Sequence, residues 1–201
     1  MTLNGSQKAI EESLTRILAS SARVAVLRLF MLDPRRSYYQ RQIEGATGLP
    51  LRAIQRELDR LGSAGLLYRR AEGNRTYYQV DLQHPLFPEL RGMVLKAAAA
   101  HDYIRGIAAV DEDVRAAFLN ATAQRVLIVT HAARRPSFGV PAPYTLEIMS
   151  SEEFERALVE RSAALADFLG GSVDMLGRRD DVIWRRIEAA GHAVDKGKGV
   201  A

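Results

Sequence analysis

Arginine dominates the chemistry of the segment between residues 35 and 75. Nine arginines against four acidic residues, with no lysine, give this segment a net charge of +5. A guanidinium group holds several N–H donors in a rigid fork, which fits phosphate oxygens and the acceptor edge of guanine. The chemistry indicated is therefore recognition of a polyanion by ion pairs and hydrogen bonds.

An amphipathic helix is predicted to present several of these donors on one face. Its apolar residues recur every three or four positions, which places them together on a helix: Leu51, Ile54, Leu58 and Leu61. The opposite face carries the polar side chains Arg52, Gln55, Arg56 and Arg60. Arginine suits the edge of guanine and glutamine that of adenine, so this face is suited to the major groove of double-stranded DNA.

A basic β-hairpin is predicted directly after this helix. The glycine-containing stretch 62–65 ends the helix, and strand-like runs follow at Leu66–Arg70 and Arg75–Val80. Between them lies Ala71–Asn74, a turn in which glycine and asparagine can adopt positive φ. Tyr78 and Val80 alternate onto the core side of the hairpin, so we expect them to be packing residues.

The residues upstream indicate three further helices. Lys8–Ala19 and the strongly apolar Ala22–Leu32 are each helical in pattern, and Asp33-Pro34 ends the second of them. Tyr39–Gly48 is a short helix, and Gly48-Leu49-Pro50 is a tight turn into the basic helix. Two helices joined by so short a turn form a helix-turn-helix arrangement.

This order of elements resembles the winged helix-turn-helix regulators of the ArsR and MarR kind. The resemblance covers residues 20–82 and is carried by "RVAVLRLF", "YYQRQIEGATGLPLRAIQRELDRLGSAGLL" and "RRAEGNRTYYQV". It implies a DNA-binding domain over residues 1–83 and a sequence-specific transcriptional regulator that acts as a homodimer. It also implies an operator with an inverted repeat.

The resemblance assigns roles to the exposed polar residues. The base-contacting residues would be Arg52, Gln55 and Arg56, near the start of the recognition helix. Backbone phosphates would be met by Arg41 and Arg60, with the hydroxyl groups of Tyr38 and Tyr39 as further candidates. The tip of the wing would reach the flanking minor groove or the backbone through Asn74 and Arg75, with Arg69 or Arg70. Asp59 shares the exposed face, where it could hold a neighbouring arginine in position.

A linking helix is expected over residues 84–110. The stretch from Leu86 to Val110 reads as one long helix with Leu90, Met93, Val94 and Ala97 on one face. In winged-helix regulators a helix here, often together with the N-terminal one, pairs two subunits. The alternative is a helix that packs only on its own domain.

Strands and helices alternate in the second half of the chain. Strands are predicted at Val114–Leu119, Arg125–Thr130 and Tyr144–Met149. One amphipathic helix, capped by Ser150 or Ser151, would bury Phe154, Leu158, Leu165, Phe168 and Leu169. A short apolar run at Val173–Leu176, a last helix at Asp180–Ala190 and a disordered tail over residues 191–201 complete the pattern. Trp184 is expected to pack in the core.

Residues 111–190 resemble the minimal nucleotidyltransferase fold in degenerate form. Active members carry Gly-Ser after the first strand, where a triphosphate is held, and Asp-x-Asp on the second, where magnesium is held. Here those places read Asn120-Ala121-Thr122 and Leu127–Thr130. Apolar side chains do not hold magnesium. We therefore expect no catalytic residue, no metal and no cofactor, and Glu147 alone could point into a cleft.

Charge distribution and cysteine content limit where the protein could act and what it could bind. Residues 1–100 hold 15 basic and 9 acidic residues, a net +6, whereas residues 101–201 hold 13 and 15, a net −2. Cysteine is absent, which fits the reducing cytoplasm of a prokaryote, and no membrane partner is indicated. The predicted class is α+β: a winged helix followed by a small α/β domain. That second domain could instead make the protein a ligand-gated switch or a protein-docking module such as an antitoxin or adaptor, or, least favoured, a relocated active site.

Overall fold

The chain folds as two compact units. A computed structural model describes residues 5–132, 139–177 and 182–196. The first unit ends at Gly106 and the second begins at Ile107. Helices accompany a three-stranded sheet in the first unit and a five-stranded sheet in the second. The chain therefore belongs to the α+β class, as the sequence predicted.

The first unit contains the basic helix and hairpin. In chain order its elements are α1 (Gly5–Leu18), α2 (Ser21–Leu32), β1 (Tyr38–Tyr39), α3 (Gln40–Thr47), α4 (Leu51–Ser63), β2 (Leu67–Glu72), β3 (Arg75–Val80), α5 (Phe87–Ala97) and α6 (Ala100–Val110). The division between the units falls within α6. Compact packing thus continues beyond residue 83, where we expected the first domain to end.

Helix α2 forms the centre of the first unit because most of its side chains are apolar. Val26, Phe30 and Met31 are fully buried, and the helix packs against α1, α3, α4 and α5. Ser20 caps its start, accepting a hydrogen bond from the Arg23 N–H at 3.1 Å. Burying each large apolar side chain contributes roughly 1.5–3 kcal/mol, so α2 is the support on which α3 and α4 rest.

The three-stranded sheet has the order β1-β3-β2 and is antiparallel throughout. Leu67 pairs with Val80 at the inner end of the hairpin, and both side chains are buried. Tyr78 is buried as well, so Tyr78 and Val80 are packing residues, as predicted. Strand β1 was not expected. Tyr39, which the sequence placed in a helix, is extended (φ −96°, ψ 161°) and begins α3 as its N-cap.

Helices α5 and α6 replace the single helix expected from Leu86 to Val110. The chain leaves the helical conformation at Ala98, where ψ is 147°. Val94 and Ala97 are buried in the core of the first unit, and α5 packs against α1 and α2. The apolar face of α5 is therefore used within its own unit, which is the alternative that the sequence left open.

The second unit is built on a mixed sheet of order β6-β5-β4-β7-β8. Its strands are β4 (Val114–Asn120), β5 (Arg125–Thr130), β6 (Thr145–Ser150), β7 (Val173–Asp174) and β8 (Asp195–Lys196). Strand β4 is antiparallel to β5 and β7, while β5 is parallel to β6 and β7 to β8. The first three strands lie close to their predicted positions.

Helices cover one face of this sheet. They are α7 (Ser151–Val159), α8 (Ala163–Gly170) and α9 (Val182–Ala189). The single long helix expected after Ser150 is interrupted at Arg161, whose φ is +52°. Trp184 is buried and meets Phe118 edge-on at 5.9 Å between ring centroids, so it is a packing residue, as expected.

The expected disordered tail is ordered in part. Asp195 and Lys196 form β8 beside β7, and the Asp195 N–H donates to the carbonyl oxygen of Ser172 at 3.2 Å. Backbone pairing with a sheet edge stabilises this segment although its side chains are polar. Residues 197–201 lie outside the described part of the chain, as do residues 180 and 181, where the last helix was predicted to begin.

Candidate nucleic-acid interface

A tight turn joins α3 to α4. Gly48 has a φ of +67°, which favours glycine, and its N–H donates to the carbonyl oxygen of Glu44 at 2.8 Å. The Thr47 hydroxyl accepts from the Leu49 N–H at 3.3 Å and fixes the next residue. Pro50 then starts α4 with a preset φ of −65°. These local bonds set the direction of α4 relative to α3.

Helix α4 buries one face and exposes the other, as its sequence predicted. Ile54, Leu58 and Leu61 are buried. Leu51, expected on the apolar face, is instead 38% exposed because it lies in the first turn, at the edge of the core. The exposed face carries Arg52, Gln55, Arg56 and Asp59.

The guanidinium groups of Arg52 and Arg56 belong to the exposed face of α4. Neither has a hydrogen bond, ion pair or ring contact within the part of the chain that the structure describes. They lie four residues apart on consecutive turns of α4, with Gln55 beside them. Two solvated guanidinium groups and an amide therefore share one face of the helix.

Glu57 is a buried acid that the sequence reasoning missed. It is 2% exposed and accepts hydrogen bonds from Arg23 and from Arg60, each at 3.0 Å, and from the Ser20 hydroxyl at 3.3 Å. Arg60, which we expected to meet phosphate, is thus paired. Its side chain nevertheless remains 56% exposed. The signal was present, since Glu57 falls three residues after Ile54 on the apolar face.

The hairpin of β2 and β3, here called the wing, carries the remaining predicted residues. Its turn is formed by Gly73, with φ +58°, and the exposed Asn74. Arg69 is exposed, while Arg70 is paired with the exposed Glu72 at 2.9 Å. An exposed pair of this kind contributes about 0–1 kcal/mol, so it does not prevent Arg70 from meeting another anion.

Arg75 connects the wing to the start of α3. Its guanidinium lies over the ring of Tyr39, 4.7 Å from the centroid, and Tyr39 meets Tyr77 edge-on at 5.7 Å. A groove of about 450 Å³ lies here, lined by Tyr39, Gln40, Arg41, Asn74, Arg75 and Thr76. Four residues predicted to contact DNA therefore line one concave surface: Tyr39, Arg41, Asn74 and Arg75.

Tyr38 corrects another expectation. We expected its hydroxyl at the DNA surface, but the residue is fully buried. Its ring meets that of Phe30 edge-on, with 5.4 Å between the ring centroids. Its hydroxyl has no hydrogen-bond partner among the described residues. Burial raises the pKa of this phenol. Tyr38 is a core residue because β1 pairs with β3 and turns it inward.

The carboxylate of Glu147 in the second unit is held by an arginine. Arg125 donates to its two oxygens at 2.8 and 2.7 Å, and this hydrogen bonding raises the pKa of Arg125. Leu127 lies opposite Glu147 in the parallel pairing of β5 and β6. Among the described residues, no group of three or more histidine, aspartate or glutamate side chains is arranged to hold a metal ion.

Within the described ranges, no helix is both long and apolar enough to cross a membrane. No protein family, curated protein or solved structure with which the chain was compared gives a match.

Proposed function

We propose that this chain is a transcriptional regulator that binds double-stranded DNA at specific sequences through α4. The observation that carries the proposal is the exposed face of α4, where Arg52 and Arg56 lie unpaired among the described residues, beside Gln55. Guanidinium and amide groups offer the hydrogen bonds that guanine and adenine edges require. Helix α4 would lie in the major groove with its first turns nearest the bases.

The surrounding residues would fix the position of the helix on the duplex. Phosphates would be contacted by arginines on both sides of α4: Arg41, Arg60, Arg69 and Arg70. Asn74 and Arg75 at the wing tip would reach the minor groove, where narrow segments attract arginine. The groove between α3 and the wing supports this assignment, because Arg41 and Arg75 both line it.

We propose that α1 contributes to a homodimer. Ile10 and Ile17 lie seven residues apart on one side of α1 and are 41% and 69% exposed. The apolar face of α5, by contrast, is buried within the same unit. A two-fold pair would present two copies of α4 to an inverted repeat with half-sites roughly 10 bp apart.

For the second unit we propose a regulatory role, as a sensor of a small molecule or a docking site for a protein. The ion pair of Glu147 with Arg125 supports a non-catalytic role, because this carboxylate is already bound at both oxygens. The whole protein would act on the nucleoid in a prokaryotic cytoplasm. The basic first half and the slightly acidic second half agree with one nucleic-acid unit and one unit of other function.

Fluorescence anisotropy with labelled duplexes over a range of salt concentrations tests this function. We expect affinity to fall steeply with salt, since each neutralised phosphate releases a counterion. Arg56→Ala should weaken binding, whereas Arg185→Ala, at an exposed arginine of α9, should leave it unchanged. Equal effects of the two substitutions, or an affinity independent of salt, would contradict the proposal.

A further inference from the structure

A chain of three polar side chains connects the wing to the exposed face of α4. The Nε2 of Gln55 donates to the Oε1 of Gln40 at 3.3 Å, and the Nε2 of Gln40 donates to the Tyr78 hydroxyl at 3.5 Å. Tyr78 is 9% exposed and is held by strand pairing on both sides, opposite Tyr38 and Arg69. This series of hydrogen bonds therefore begins at the hydroxyl of the buried Tyr78 and ends at the solvent-exposed amide of Gln55.

These bonds decide which hydrogen-bonding groups Gln55 has left. One N–H of its amide is used by Gln40, so among the described residues the Oε1 acceptor and the second N–H remain free. Adenine presents one acceptor and one donor in the major groove, N7 and N6–H₂, and matches that pair. Guanine presents two acceptors, O6 and N7, and does not. An amide fixed this way would discriminate between the two purines.

Gln40 also limits the freedom of Gln55 before any DNA is bound. A glutamine side chain loses up to about 2 kcal/mol of rotamer entropy when it is fixed. A partner that already restricts the side chain lowers that cost at binding. Gln40 is suited to this because it is the first residue of α3, and the start of that helix is held by a hydrogen bond from the Tyr39 N–H to the Gln42 side chain at 3.2 Å.

From this geometry we infer that Gln40 is a positioning residue that orients Gln55 toward an adenine in the major groove. The inference rests on the proposed function and adds to it the identity of one base. Gln40 itself need not touch DNA. Its effect is confined to the base pair that faces Gln55, whereas Arg41, its exposed neighbour on α3, would act on the backbone of any sequence.

Competition binding with duplexes that differ at single positions tests this inference. In the wild type we expect one position of each half-site to prefer adenine, and Gln55→Met to reduce that preference by about 5- to 100-fold. Gln40→Met, which keeps the volume and removes the hydrogen bonds, should reduce it at the same position by about three- to tenfold. The double variant should be no worse than Gln55→Met, because Gln40 acts through Gln55.

Two further variants separate positioning from folding and from affinity. Arg41→Met should weaken binding to all duplexes alike and leave the adenine preference intact. Tyr78→Phe should reduce the adenine preference as Gln40→Met does, because it removes the hydroxyl that accepts the hydrogen bond from Gln40. Thermal unfolding of each variant shows whether the fold is retained.

The outcomes distinguish this inference from the function on which it rests. A wild-type protein without any base preference would overturn both. Adenine preference that survives Gln40→Met and Tyr78→Phe but is lost in Gln55→Met would overturn the inference alone. Guanine at the Gln55 position would overturn it as well, since it would require the opposite orientation of the two amides.

Discussion

Because Glu57 is buried, we predict that its two arginine partners, Arg23 and Arg60, contribute differently to stability although their hydrogen bonds to it are equally long. Arg23 and Arg60 each donate to this carboxylate at 3.0 Å, but their side chains are 28% and 56% exposed. Arg23 also donates to the carbonyl oxygen of Leu18 at 2.8 Å, so it ties α4 to the corner between α1 and α2. Removing the side chain of Arg23 should therefore lower the free energy of unfolding more than removing that of Arg60.

The magnitudes follow from how buried the charges are. Removing one partner of a fully buried pair costs about 3–5 kcal/mol, because the other charge is left without compensation. Glu57 would keep Arg60 and the Ser20 hydroxyl, so we expect Arg23→Ala to cost about 2 kcal/mol. Arg60→Ala removes an exposed partner three residues along the same helix and should cost about 0.5 kcal/mol.

Amide hydrogen exchange of the full chain measures this difference where it arises. A loss of 2 kcal/mol corresponds to roughly 30-fold faster exchange of the protected amides of α2 and α4. Trp184 fluorescence during urea unfolding is the control, because this residue lies in the second unit and should report no change. An Arg60→Ala effect as large as that of Arg23→Ala would refute the reasoning.

Three other predictions concern single side chains. Tyr38→Phe should maintain the free energy of unfolding or raise it by up to about 1 kcal/mol, because the buried hydroxyl has no partner among the described residues. A loss of more than about 1 kcal/mol in thermal unfolding would contradict this. The hydrogen bond from His101 and the charge of Arg28 lower the pKa of Asp102, so its stabilisation is present above about pH 4 and lost as pH falls through the lowered value. Asp102→Asn should thus lower the melting temperature at pH 7 and lower it by progressively less as the pH falls below about 4, and an effect that does not shrink with falling pH would contradict this. Magnesium-dependent transfer of a labelled nucleotide should be undetectable, and a transfer that disappears in Glu147→Gln would move the protein into the enzyme class.

The elements that sequence predicted well are those whose signals are local. The turn at Gly48, the amphipathic pattern of α4 and the turn of the wing each depend on residues close together in the chain, and all three lie where the pattern placed them. The exposure of Arg52 and Arg56 also followed from their place opposite the apolar face.

The elements that were missed depend on distant contacts. Strand β1 exists because Tyr38 and Tyr39 pair with β3, and two residues are too few to show an alternating pattern. No glycine or proline marks the break between α5 and α6 in the run of alanines there. α6 packs closely against α2 and α5, and a Cβ at Gly106 would lie 2.9 Å from Leu32.

The partners of buried polar groups were equally hidden. Glu57 is bound by Arg23, which lies 34 residues earlier in the chain, and the hydroxyl of the buried Tyr78 by Gln40, 38 residues earlier. Such pairs are set by how α2, α3 and the wing pack on α4, and composition and periodicity carry no information about them. The break between α7 and α8, by contrast, had a local signal in the cap residue Ser162.

Selection of bound duplexes from a randomised pool is the most direct test of the central claim, that the exposed face of α4 recognises specific DNA sequences. The account predicts enrichment of an inverted repeat with half-sites roughly 10 bp apart. It also predicts that Arg52→Ala and Arg56→Ala each lose base preference at positions within the half-site, while Arg75→Ala lowers affinity without changing the enriched core. A pool that stays random with the wild type, or a consensus that follows the wing and ignores α4, would contradict the account.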